Sequence, residues 1–243
     1  AALEVLKERH ARAVALCRKV GTADHPCSCA VLRNAKRLER AHIGLNADDS
    51  ATLGMILRTS GLPKLLTLDL EDNGFGDAGV MALCDGLGPG TAPALHTLML
   101  NGNKFGPAGA EALAAALRRG AIPTLAILML NSNPIGSQGV AALAAPVRKL
   151  TGLISLHLTT CEIGDEGVAS LFSNLGKDDF KALHTCWVGT NKITDVGMTR
   201  LAAAIEAGGL PMWEWYSHAL RGDAASAVAV HAVFDALAKR SSK

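Results

Sequence analysis

The sequence predicts an α/β solenoid, a right-handed coil of strand–helix units with a parallel sheet on its concave face and helices on its convex face. The main observation is a phrase that recurs every 27–30 residues and begins at Leu38, Leu65, Leu95, Leu125, Leu153 and Leu183. Repeats of this length are supersecondary units that bury their apolar faces by stacking. Leucines alternate in the first half of each copy, which predicts a strand with one buried face. Apolar residues follow at helical spacing, which predicts an amphipathic helix.

The order strand, helix, strand predicts parallel strands joined by right-handed connections. Neighbouring strands lie about 4.8 Å apart, whereas packed helices need nearly 10 Å. We therefore expect the array to curve into a horseshoe arc. Three segments follow from the repeat pattern: a helical cap over residues 1–37, six repeats over 38–210, and an irregular last repeat with a capping helix over 211–243. Because no linker composition separates these segments, they form one predicted domain.

Composition limits the classes of partner. The 243 residues carry a formal net charge of +2, which is too small to predict a nucleic-acid partner. No apolar run is long enough for a membrane span, and the N-terminus lacks the pattern of a signal peptide. We expect no membrane insertion. The segment before residue 43 is basic, and its first helix is either a cap with a solvated basic face or a docking surface for an acidic partner.

Cysteines and histidines give no strong sign of chemistry. Most of the six cysteines fall at small or apolar positions of the repeat, which favours a reduced, cytoplasmic protein over a disulfide framework. The cluster His25, Cys27 and Cys29 lacks an evident fourth ligand for structural zinc. His42 and His157 are about 19 Å apart if each strand adds one spacing, which is too far to share a metal. We expect no cofactor, no metal, no catalytic site and no small-molecule substrate.

Positions after each strand predict how a repeat is held together. One column is rich in Asn, whose side chain can bond the turning backbone, and it contains Asn46, Asn73, Asn103, Asn133, Cys161 and Asn191. Four residues later stand the predicted helix N-caps or starts Ser50, Asp77, Pro107, Ser137, Asp165 and Asp195. Two residues further on, a glycine that we expect to permit close packing occurs in five copies. Pro146 is expected to kink or end the fourth helix.

The motifs L-x-x-L-x-L-x-x-N, apolar-x-G-[DS]-x-G and A-x-x-L-x-x-x-L resemble the ribonuclease-inhibitor-like class of leucine-rich repeats over residues 38–210. The resemblance is specific for fold and general for function. The class includes ribonuclease inhibitors, sensor arms of immune receptors, GTPase activators for Ran, and parts of cytoskeletal assemblies.

Outward strand positions align in rows and map the predicted concave face. Its N-terminal end is charged, with Arg40, His42, Asp69 and Glu71. The remainder presents Met99, Ile127, Met129, His157, Trp187 and Trp215. Exposed Met and Trp are typical anchors of protein interfaces. In the alternative interpretation, Ile127 and Met129 only fill a shallow face and the C-terminal cap covers Trp187.

The predicted function is a non-catalytic scaffold that binds a protein partner through its concave face, alone or as a subunit of a larger assembly. One alternative is a GTPase activator that resembles the Ran-directed ones, although those carry an acidic stretch after the repeats and this chain reads Ala-Lys-Arg-Ser-Ser-Lys there. Another alternative is the ligand-sensing arm of an immune receptor.

Overall fold

The computed structural model describes residues 2–21, 28–207 and 225–241. The described helices are α1 (Ala2–Val20), α2 (Cys29–Asn34), α3 (Ala47–Ser60), α4 (Gly76–Gly86), α5 (Pro107–Arg118), α6 (Gly136–Arg148), α7 (Asp165–Phe172), α8 (Asp195–Glu206) and α9 (Ala227–Ser241). The described strands are β1 (Arg37–Glu39), β2 (Thr67–Asp69), β3 (Thr97–Met99), β4 (Ile127–Met129), β5 (Ser155–His157) and β6 (Thr185–Trp187). From β1 to α8, strands and helices alternate as predicted.

The six strands form one parallel sheet in chain order, from β1 to β6. Equivalent residues face one another across each pair, so that Leu68 aligns with Leu98 and Leu98 with Leu128. The sheet is open, and the wider helices contact one another in sequence along its outer side. The predicted solenoid, with a concave parallel sheet and convex helices, is confirmed.

The core lies between the sheet and the helices. The middle residue of every strand is buried, and Phe75, Phe105 and Ile135 enter the same layer from the loops. Helices add their inner faces, as Val80 and Leu83 do in α4. Since each coil buries this surface only against its neighbours, the whole stack is one continuous apolar core.

The predicted asparagine ladder is present in the second repeat and those after it. Asn133 is fully buried, donates to the carbonyl oxygens of Leu100, Leu130 and Asn131, and accepts from the backbone N–H of Asn103. Cys161 continues the column, and its Sγ donates to the Leu130 carbonyl at 3.2 Å. These bonds satisfy the backbone where the chain leaves the sheet.

The predicted N-caps act between repeats and not within them. Asp77 lies inside α4, and its Oδ1 accepts the N–H groups of Gly106 and Gly109 at the start of α5. Asp165 accepts from the N–H and hydroxyl of Thr194, which precedes α8. The prediction of caps on their own helices is wrong for these residues, because stacking places each carboxylate beside the first turn of the next helix.

Glycines allow the close packing that was expected. A Cβ on Gly139 would lie 2.6 Å from the Ile135 side chain and 2.9 Å from the Cβ of Ala110 in the preceding coil. An additional contact joins α3 and α4, where a Cβ on Gly86 would lie 2.1 Å from the carbonyl oxygen of Gly54. These two helices therefore touch through their backbones.

Pro146 does not end α6, which continues to Arg148. Proline has no N–H to donate to Ala142, four residues earlier. Arg118 of the neighbouring α5 donates to that carbonyl oxygen instead, at 3.4 Å. Of the two expected outcomes, a kink or an end, the end at Pro146 is wrong, since a side chain from the adjacent coil partly replaces the missing bond.

The register predicted for the first repeat is wrong by three residues. Leu38 aligns with Leu68, not with Leu65, so Arg37 and Glu39 are the outward residues of β1.

The same shift changes the roles of two polar residues. Asn46, predicted to belong to the asparagine column, is the N-cap of α3 and shares a capping box with Asp49. Ser50, predicted as the cap, is buried within α3 and donates to the Gly79 carbonyl. Asparagine suits both roles, which is why the pattern was misleading here.

Candidate functional site

Each strand has three residues, and its first and third side chains point away from the core onto the concave face. The third residues form the central row, which contains Glu39, Asp69, Met99, Met129, His157 and Trp187. The first residues form the flanking row, which contains Arg37, Thr67, Thr97, Ile127, Ser155 and Thr185. From β2 onward, both alignments agree with the sequence prediction.

The N-terminal end of the face differs from the prediction. Arg40 was expected in the flanking row, but its N–H donates to the Asp69 carbonyl, just as the N–H of Leu70 donates to Met99. It therefore occupies the position of a core leucine, and its Nε is buried without a hydrogen-bond partner. The sequence contained an indication that Arg37 belongs to the flanking row. Thr67 and Thr97 are 30 residues apart, and the same interval before Thr67 gives residue 37.

His42 likewise leaves the central row. It aligns with Asp72 in the turn that follows the strands, where both residues have positive φ angles of 56° and 51°. Its Nδ1 lies 3.4 Å from Asp72 Oδ2 in an exposed contact. Glu39, which the sequence reasoning missed, takes its place beside Asp69.

The middle of the face is apolar. Met99 and Met129 lie side by side in the central row, and Ile127 precedes Met129 on the other outward position of β4. All three side chains are half-buried by their neighbours. Methionine is flexible and polarizable, so this part of the face can adapt to different apolar groups.

The C-terminal end of the face is aromatic and ordered. The rings of His157 and Trp187 are stacked, with centroids 5.6 Å apart and planes 8° from parallel. Ser155 Oγ lies 2.7 Å from His157 Nε2, which orients the imidazole. Burial lowers the pKa of His157 and so favours its neutral form. The central row therefore changes from carboxylates on β1 and β2 to uncharged thioether and ring surfaces on β3 to β6.

A third row follows the central one, and its asparagine side chains bond the backbone of neighbouring coils. Asn101 is buried, and its Oδ1 accepts the N–H of Asn131 at 2.9 Å. Asn131 in turn accepts the N–H of Thr159 at 2.8 Å. Glu71, two residues after Asp69, belongs to this row and is half-buried. Because their amide oxygens already bond the backbone, Asn101 and Asn131 stabilise the fold.

The expected ligand cluster falls mostly outside the described residues, since His25 and Cys27 are among those not described, as is Trp215. Within the described ranges, no group of three His, Cys, Asp or Glu residues is arranged to hold a metal ion.

Burial raises the pKa of the Cys84 and Cys161 thiols to about 12, so neither is a ready nucleophile. The described helices include none that is long and apolar enough to span a bilayer.

Comparison with known proteins agrees with this geometry. The profile of a family described as Leucine Rich repeat matches residues 61–84, 93–114, 121–144 and 150–172. Each matched segment contains one strand and part or all of the helix that follows it. No curated protein matches the chain. Leucine-rich repeats generally form protein-interaction domains and typically have no catalytic role, because they present an extended surface and not an enclosed pocket. The recurring strand–helix units and the matching profile together identify the four matched segments between residues 61 and 172 as leucine-rich repeats.

Proposed function

We propose that this protein is a non-catalytic interaction module that holds a protein partner on its concave face, alone or within a larger assembly. The observation that carries the proposal is the uncharged run of Met99, Met129, His157 and Trp187 in one row over four neighbouring strands. Met and aromatic residues are enriched at the centres of protein interfaces. The run spans three strand spacings, about 14 Å, which is enough for two or three anchor side chains of a partner.

Rigidity supports the same proposal. Trp187 is stacked on His157, and Ser155 holds that imidazole. Side chains that are already ordered lose less conformational entropy when a partner binds. The ring pair is therefore suited to be the energetic centre of the interface, with the two methionines as an adaptable border.

An intracellular location and the ribonuclease-inhibitor-like class form part of the proposal. Cys84, Cys161 and Cys186 are buried thiols without disulfides, which suits a reducing compartment. Repeats with a strand on one side and an α-helix on the other support that class. Neither the GTPase-activator alternative nor the receptor-arm alternative gains a specific observation from the concave face.

Affinity capture from the cell of origin tests the proposal. The bait would be the wild-type protein, a concave variant with Trp187→Ala and Met129→Ala, and a control variant with Met81→Ala. Met81 lies on α4 and is 50 % exposed, so it controls for the loss of surface methionine. Proteins retained by the wild type and control but lost from the concave variant would be re-tested in purified form. For a true partner, we expect Trp187→Ala to weaken binding about 30-fold, as for an interface hot spot of about 2 kcal/mol.

Circular dichroism and the urea midpoint would establish that each variant is folded. If every captured protein binds the concave variant as well as it binds the wild type, the concave face is not the binding surface and the proposal is wrong. Loss of binding only in the Met81→Ala control would assign the site to the helical side instead.

A further inference from the structure

We infer that the partner contributes a segment with Lys or Arg at one end and apolar side chains at the other, and that its basic end lies over β1 and β2. The inference rests on the proposed function and specifies the chemistry of the partner. It follows from the unequal distribution of charge along the concave face.

Four carboxylates gather at the N-terminal end of the face, from Glu39, Asp69, Glu71 and Asp72. Only some of this charge is compensated. Arg37 pairs with Glu39 at 2.5 Å, while Asp69 Oδ1 accepts the backbone N–H of Glu71 at 3.0 Å. Among the residues that the structure describes, no Lys or Arg nitrogen is within ion-pair distance of the Asp69 or Glu71 carboxylates.

The nearby basic groups do not cancel this charge. Arg37 and Arg40 are the basic side chains of β1 and the residue that follows it, and neither pairs with Asp69 or Glu71. Arg40 is turned toward the position of a core leucine, and its guanidinium donates to the backbone carbonyl of Glu39. His42 contacts Asp72, which leaves Asp69 and Glu71 as the carboxylates open to a cation from outside.

Beyond Asp69, the central row carries no charged side chain. Met99 and Met129 are neutral, and the imidazole of His157 is held toward its neutral form by burial. A segment bound in the reverse direction would carry its Lys or Arg side chains away from the Asp69 and Glu71 carboxylates, and burying a cation without an anionic partner is costly. It would also place apolar groups over Asp69 and Glu71. The face therefore selects one direction of the segment as well as its composition.

Charge also argues against other kinds of ligand. The Asp69 and Glu71 carboxylates, which have no Lys or Arg partner among the described residues, repel the phosphates of nucleic acid and the headgroups of anionic lipid. The distance from Asp69 to Trp187 covers four strand spacings, about 19 Å. An α-helix of about 13 residues covers that distance, as does an extended segment of about six residues.

Selection from a phage-displayed library of random 16-residue peptides tests this inference. The peptides would be selected on the wild-type protein, and each enriched peptide would be synthesised. Its affinity would be measured for wild type, for an acidic-end variant with Asp69→Lys and Glu71→Lys, and for an apolar-end variant with Met129→Lys.

We expect enriched peptides to place Lys or Arg at one end and Leu, Ile, Phe or Met at the other. We further expect both variants to lose at least about tenfold in affinity, and the loss at the acidic end to shrink as salt screens the charges.

The outcomes separate this inference from the proposed function. Peptides that need Met129 but show no basic end, and bind the acidic-end variant normally, would overturn the inference while the concave binding site stands. Peptides that bind both variants normally, or a selection that enriches none, would count against the concave site itself. A dimer in sedimentation that Met129→Lys dissociates would assign the face to a second copy of the chain and would also overturn the inference.

Discussion

At the scale of single residues, buried amides hold the turns of the coil. Asn103 and Asn133 are fully buried, and each bonds backbone groups of its own coil and of a neighbouring one. This column could be predicted from the sequence, since Asn recurs at a fixed distance after each strand. The role of Asn46 could not, because an asparagine after a strand is as suitable for a helix N-cap as for the ladder.

We predict that Asn133→Ala lowers the free energy of unfolding by about 2–4 kcal/mol, because two buried and one partly buried carbonyl oxygens and the N–H of Asn103 each lose a partner. Urea unfolding followed by circular dichroism measures the change. Gln138→Ala, at an exposed position of α6, is the matched control and is expected to change stability by less than about 0.5 kcal/mol. Equal stabilities of the two variants would show that the ladder is not needed.

At the scale of elements, side chains from one coil complete the helix of the next. Asp77 and Asp165 cap the helices of the coils that follow them. Arg118 donates to the Ala142 carbonyl oxygen, to which Pro146 has no N–H to donate. The two aspartates were correctly singled out from the sequence as capping residues, whereas Arg118 was not. Their targets could not be predicted, because local sequence does not reveal which residues of a neighbouring coil come within hydrogen-bonding distance.

The contact between α3 and α4 gives a prediction at this scale. Alanine normally stabilises a helix relative to glycine, by up to about 1 kcal/mol. At Gly86 we expect the opposite, a loss of about 1–3 kcal/mol or more, since the added Cβ would meet the backbone of Gly54 at 2.1–2.5 Å. The thermal midpoint of Gly86→Ala, compared with that of wild type, measures this loss.

Gly88→Ala is the control for that substitution, because a Cβ there meets nothing closer than 3.9 Å and the backbone φ is not positive. It should keep the wild-type midpoint or exceed it slightly. A Gly86→Ala protein as stable as Gly88→Ala would mean that the two helices can separate without cost.

At the scale of the whole molecule, the repeat period predicted the solenoid and most of the concave face. Five of the six strands align as expected, which places Met99, Met129, His157 and Trp187 in one row. The first strand does not align as predicted, because its repeat lacks the usual leucines and its pattern fits more than one register. The stacking of His157 on Trp187 and the contact between Ser155 and His157 could not be predicted from the sequence either, since they depend on side-chain rotamers on two strands.

The central claim is that function lies in the residues that do not repeat, on the concave face. Oxidative footprinting of the complex with a captured partner tests it most directly, because methionine can be labelled on both sides of the molecule and Trp187 on the concave face. The account predicts that Met99, Met129 and Trp187 become protected from oxidation when the partner binds, while Met81 on the exposed side of α4 is oxidised at an unchanged rate. Protection of Met81 with no change at Met99, Met129 and Trp187 would contradict it.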